Sequence, residues 1–123
     1  MDKLYLKNNK SEAEIDFNNE NNELTIKGIL CSENPIFYFN KIMDWLKEYK
    51  EYKPEIIKLN IQLYYLNTIS TKFLINMIRY ILTISQNIII KWYYDEDDTD
   101  ILELGNDIQD LINKKIFFIT VYE

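Results

Sequence analysis

The stretch L-Y-Y-L-N-T-I-S-T-K, from Leu63 to Lys72, carries the hydroxyls of Thr68, Ser70 and Thr71 where an alternating apolar strand gives way to an amphipathic helix. A hydroxyl at such a junction stands on a rigid base and faces backbone N–H groups that favour an anion. It can accept a phosphoryl group, which would add roughly two negative charges at the start of the helix. The same residue types also cap ordinary helices, so the local pattern leaves a phosphoacceptor and a cap both open. Asn67 and Lys72 complete the segment, and Lys72 can pair with a phosphate or remain in solvent.

A second constellation, Asp95, Glu96, Asp97, Asp98 and Asp100, gathers carboxylates that could hold a divalent metal. As a calcium loop it fails, because Asp100 stands where the turn glycine belongs and Asn106 where the bidentate glutamate belongs. A phospho-aspartate receiver needs a strand-end aspartate and a lysine, but the long strand here ends in Leu66-Asn67. Two readings remain. The carboxylates complement the positive end of the following helix, or Asp95, Glu96, Asp97 and Asp98 form a docking edge for a basic partner.

Other chemistry is missing. The chain has no histidine, so it offers no His base, triad or metal ligand. Cys31 is the lone cysteine, a poor nucleophile without a histidine and unable to form an internal disulfide. Gly28 and Gly105 are the only glycines, too few for a phosphate-cradling loop. Trp45, Trp92, Tyr93 and Tyr94 read as core and strand residues, since a base-stacking platform would need positive charge around it. The class that survives is a protein–protein interaction module without a cofactor.

The 123 residues suit a single domain, 1–123, that buries roughly two-thirds of its unfolded surface. A hydrophobic fraction of 47%, with ten Tyr, six Phe and two Trp, supplies the core for it. The net charge of −6 argues against nucleic acid and against an anionic membrane surface as partners. Residues 1–10 are polar rather than signal-like, and no apolar run is long enough to span a bilayer. The expectation is a cytoplasmic protein.

These residues need a scaffold, and the patterning supplies one. Glu14–Phe17 and Glu23–Leu30 read as a hairpin about an Asn-rich turn. Pro35 opens a helix to about Tyr52, with Phe39, Ile42, Met43, Leu46 and Tyr49 inward. Glu55–Leu66 is a long strand, with Ile57, Leu59, Ile61, Leu63 and Tyr65 on its buried face and a polar second face. A helix over about Ser70–Gln86 follows, with Leu74, Met77, Ile78, Ile81, Leu82 and Ser85 inward. Ile88–Tyr94 is a strand, Thr99–Asn113 a helix with Ile101, Leu104, Ile108 and Leu111 inward, and Ile116–Tyr122 a last strand. Gly105 inside its helix marks close packing, since an exposed glycine there would cost about 1 kcal/mol. A hairpin followed by αβαβαβ predicts an α/β domain with a mixed sheet and helices mainly on one face. Function in such sheets gathers beyond the carboxyl ends of the strands, where Asn67–Thr71 and Asp95–Asp98 would share one edge.

Five pieces occur in one order along the chain: I-D-F-N-N-E-N-N-E-L-T-I-K-G, S-E-N-P-I-F-Y-F, D-W-L-K-E-Y, L-Y-Y-L-N-T-I-S-T-K and W-Y-Y-D-E-D-D. Together they resemble the SiaC-type regulatory phosphoproteins of bacteria, from about Ile15 to Tyr122. The resemblance implies an STAS-like fold, similar to anti-sigma-factor antagonists, and a partner switch rather than an enzyme. It implies that Thr68, in the position of the threonine of an N-T-S-S-type junction, is the phosphoacceptor. Asn67, Ser70, Thr71 and Lys72 would then shape a recognition loop. It further implies a GHKL-fold Ser/Thr kinase, a PP2C-type phosphatase, and a target such as a diguanylate cyclase bound by the unphosphorylated form. Ile69 departs from the pattern, since the family usually has serine there. Two rivals stand beside this reading: a receiver-like domain using the acidic loop and a divalent metal, and a constitutive scaffold whose hydroxyls only cap.

Overall fold

The computed structural model describes residues 1–122. Strands β1 (Leu4–Leu6), β2 (Glu14–Asn18) and β3 (Glu23–Leu30) precede helix α1 (Pro35–Glu51). Then β4 (Ile56–Leu66), α2 (Thr68–Ile81), β5 (Asn87–Asp95), α3 (Thr99–Ile112) and β6 (Ile116–Val121) alternate. The six strands lie side by side in chain order, antiparallel from β1 to β3 and parallel from β3 to β6. Every crossover therefore steps the same way. Right-handed connections then place all three helices on one face of the sheet.

The burial pattern follows from that arrangement. Leu24, Ile26, Ile57, Leu59, Ile61, Leu63, Ile88, Ile90 and Trp92 are buried beneath the helices, while Lys27, Lys58 and Ile89 are exposed on the uncovered face. Helix α1 buries Tyr38, Phe39, Ile42, Trp45, Leu46 and Tyr49. The expected hairpin turn is present, with Asn22 in left-handed backbone at φ 56°. Pro35 follows the cap Asn34, whose side chain accepts from the N–H of Phe37. Gly105 marks a close approach of α3 to the sheet. A Cβ there would lie 2.7 Å from Phe118 Cε1 and 2.8 Å from the Trp92 ring.

Four details differ from the sequence reading. β1 adds an edge strand that three residues between polar flanks did not announce. Helix α2 starts at Thr68 and stops at Ile81, not near Gln86. Its continuation is lost because Thr83 turns back, its N–H and hydroxyl both donating to the Tyr80 carbonyl. Leu111 is exposed, and Gly105 with half-buried Ile112 completes the inner face of α3.

The fourth difference bears on function. The β3–β4 pairing runs Gly28 with Leu63, then Ile29 with Tyr65, so Tyr64 is an extra residue in β4. A bulge of this kind resets the alternation of faces. Tyr65, expected inward, is instead exposed next to exposed Tyr64, and Leu66 turns back toward the core.

Candidate functional site

The bulge lifts the end of β4 just before the chain enters α2, and one residue, Asn67, makes that connection. Asn67 is held on three sides. Its N–H donates to the Leu30 carbonyl at the end of β3, 3.1 Å away. Its side-chain Oδ1 accepts from the N–H of Ser70 at 2.9 Å. Its carbonyl accepts from both the N–H and the hydroxyl of Thr71, at 3.0 and 2.9 Å. Asn67 is thus the N-cap of α2.

This arrangement sorts the hydroxyls that the sequence left together. Thr71 is tied back to Asn67 and half-buried. Ser70, expected in a recognition loop, is only 1% exposed, and its Oγ has no hydrogen-bond partner among the described residues. It lies beneath the loop, where a phosphoryl donor cannot reach it. Thr68 is the first helical residue, exposed, and takes no part in the cap. The backbone N–H groups of the first helical turn stand beside it and favour negative charge. Lys72, exposed one turn further along, lies on the same side of the helix.

The surroundings of Thr68 are apolar and open. Ile69 and Tyr65 are more than half exposed beside it. From the neighbouring strand connection come Ile36 and Phe37 in the first turn of α1, 62% and 60% exposed. Helices α1 and α2 are held together here by stacking of Phe39 on Phe73, with centroids 5.0 Å apart. Sequence reasoning missed Ile36, Phe37 and Tyr65. The first two join the site only through the order of the strands. Tyr65 was foreshadowed by Gly28, since a glycine within a strand can mark a bulge.

The acidic loop lies on the same edge, because β4 and β5 are parallel neighbours. Asp98 caps α3, its Oδ1 accepting from the N–H of Ile101 at 3.0 Å. Asp95, Glu96 and Asp97 are exposed. A cavity of about 260 Å³ lies between the end of β4 and the start of α3, lined by Tyr64, Tyr65, Leu66, Asp98, Asp100, Ile101 and Leu104. Among the described residues no group of three or more carboxylates or cysteines is gathered as a metal site would need. A larger depression of about 500 Å³, among Gln109, Asp110, Asn113, Lys114 and Lys115, lies at the far end of α3, away from Thr68.

A profile of the SiaC family of regulatory phosphoproteins matches residues 6–122. The chain belongs to the SiaC family. Apo-SiaC from Pseudomonas aeruginosa has the same fold, with a TM-score of 0.81 at 20% identity over 96% of this chain and 98% of that one. A chain in the crystal structure of the diguanylate cyclase SiaD with its activator SiaC, from the same organism, gives 0.87 at 19% identity over 96% and 99%. An uncharacterized protein of P. aeruginosa strain UCBPP-PA14 is 22% identical over 113 residues, covering 89% of this chain and 90% of that protein. The family and the mixed α/β fold expected for this SiaC-family protein are both found. No helix in its described residues is long and apolar enough to cross a membrane.

Proposed function

We propose that this SiaC-family protein is a non-enzymatic partner switch in the cytoplasm, set by reversible phosphorylation of Thr68. The observation that carries the reading is the division of labour at the start of α2. Asn67 makes the cap, which leaves the exposed Thr68 hydroxyl without a structural task. A GHKL-fold kinase would form the bond from Thr68 Oγ1 to the γ-phosphorus of ATP, with ADP leaving and the hydroxyl proton released. A PP2C-type phosphatase would return phosphate to water.

The unphosphorylated form would bind and activate a diguanylate cyclase through Ile36, Phe37, Tyr65 and Ile69 around Thr68. That P. aeruginosa SiaC is the activator of the cyclase SiaD supports this class of target. A phosphate dianion in the centre of such a surface would be stripped of water on docking, and the single charge of Lys72 would not neutralise it. Converting one central contact from neutral to repulsive would weaken binding by a few kcal/mol, on the order of a hundredfold. Asp95, Glu96 and Asp97 would flank the contact and favour basic residues on the partner.

Phosphosite mapping of the protein from its native host, with and without the kinase, tests the assignment. Phosphate should appear on Thr68 in the presence of the kinase. Phosphate confined to another residue, or none under any growth condition, would sink it.

A further inference from the structure

The two edges of the sheet are guarded very differently. On one side, β1 is three residues long and lies between Lys3 and Lys7, with Lys3 3.5 Å from Asp16. Short length and edge lysines are the usual defences against strand addition. On the other side, β6 reads I-F-F-I-T-V, six residues with no charge, proline or glycine. Its pairing with β5 is unbroken over the whole strand. Among the described residues, only one backbone group of β6 has a side-chain partner, the N–H of Ile116, which donates to Gln109 Oε1 at 2.7 Å. The uncovered face beside this edge is mostly apolar: Ile89 and Phe117 are exposed there, with Tyr93, Ile119 and Val121 half-buried, and Lys91 and Asp95 of β5 are its charged members.

We propose that a second copy of this chain adds to the β6 edge, antiparallel about a two-fold axis, to make one continuous sheet. Charge complementarity selects a second copy rather than a foreign strand. Lys114 and Lys115 precede β6, while Val121 near its end pairs with Asp95, followed by exposed Glu96 and Asp97. Antiparallel pairing sets the start of each β6 beside the end of the other. Lys115 of each copy then faces Asp95 of its mate across one intervening strand. Two strand spacings are about 10 Å, which a lysine and a carboxylate side chain together span. Lys115 Nζ now rests 5.0 Å from the Phe117 ring centroid, on an exposed residue free to swing outward. The two-fold repeats this match on both sides. The interface leaves Thr68 and its apolar surround open, because α2 follows β4 rather than β6, and of the acidic edge it draws on Asp95.

Sedimentation velocity over about 1 to 200 µM at low salt tests the pairing. The mass should rise from 14.9 kDa toward twice that value, and the amides of 116–121 should exchange more slowly as concentration rises. Lys115→Glu should weaken association by about tenfold, and adding Asp95→Lys should restore it. Ile119→Lys, folded by circular dichroism, should be monomeric. Thr68→Ala should associate like the wild type, which separates this proposal from the phosphorylation reading. A wild-type monomer at every concentration would overturn the proposal, even if the edge captured a foreign peptide. So would association indifferent to both Lys115→Glu and Ile119→Lys, or association lost with Thr68→Ala.

Discussion

Exchanging Asn67 and Thr68 for alanine, one at a time, separates the cap from the hydroxyl proposed as phosphoacceptor. Asn67→Ala removes the acceptor that the Ser70 N–H meets at 2.9 Å. Loss of an N-cap side chain typically costs about 1 kcal/mol, with a range of roughly 0.5 to 2. Ser70 is 1% exposed, so water cannot easily replace the lost acceptor, which places this site toward the upper end, about 1.5 kcal/mol. That is about a tenfold change in the folding equilibrium, and roughly 4 to 6 °C in Tm for a chain of this size. Thr68→Ala removes an exposed hydroxyl that makes no contact with the cap, and alanine is the better helix former. The expected change is within about 0.5 kcal/mol of zero, on the stabilising side. Urea unfolding of both variants, followed by circular dichroism, measures the difference. If Thr68→Ala lost more than about 1 kcal/mol while Asn67→Ala lost nothing, Thr68 would be the cap and the division of labour would be wrong.

Other consequences follow from the packing. Gly105→Ala should destabilise by roughly 1 to 3 kcal/mol despite alanine's better helix propensity, because its Cβ meets the rigid rings of Trp92 and Phe118; calorimetry reads this as a lower Tm, and an unchanged Tm would mean that α3 moves freely off the sheet. Burial pushes the Tyr49 hydroxyl up to about 12, and burial with Glu12 nearby raises Tyr38 further, both from about 10. The folded state thus keeps these protons longer than the unfolded chain. Their contribution is complete below pH 10 and falls as pH climbs toward 12. Tyr49→Phe should cost about 1 kcal/mol at neutral pH, for the lost 2.7 Å bond to Asn22, and should lose stability less steeply above pH 10. Identical slopes in denaturant titrations across that range would contradict the burial argument. Ile36→Ser with Phe37→Ser should leave stability within about 0.5 kcal/mol yet weaken capture of the target at least tenfold; unchanged capture in a pull-down would place the docking surface elsewhere.

Much of the scaffold is legible in the sequence because burial on one side of a sheet imposes a strict period of two. Leu24 and Ile26 in β3, and Ile57 to Leu63 in β4, display it plainly. What escapes are the places where the period breaks or a contact is non-local. The bulge at Tyr64 flips Tyr65 outward, a register change set by pairing with β3 and invisible within β4 itself. The end of α2 is masked because Leu82 and Ile84 remain apolar while the chain turns back into the core. At the site, residue type placed the hydroxyls at the junction but could not rank them. Burial of Ser70 and the hydrogen bonds of Asn67 supply the ranking. The apolar frame from Ile36 and Phe37 depends on β3 and β4 being neighbours, which local patterns do not determine.

The most direct test is the affinity of two purified forms for a diguanylate cyclase from the same host, one unphosphorylated and one quantitatively phosphorylated on Thr68. Isothermal titration calorimetry should show tight binding for the first and binding weaker on the order of a hundredfold for the second. Equal affinities, with phosphate confirmed on Thr68 by mass, would contradict the switch.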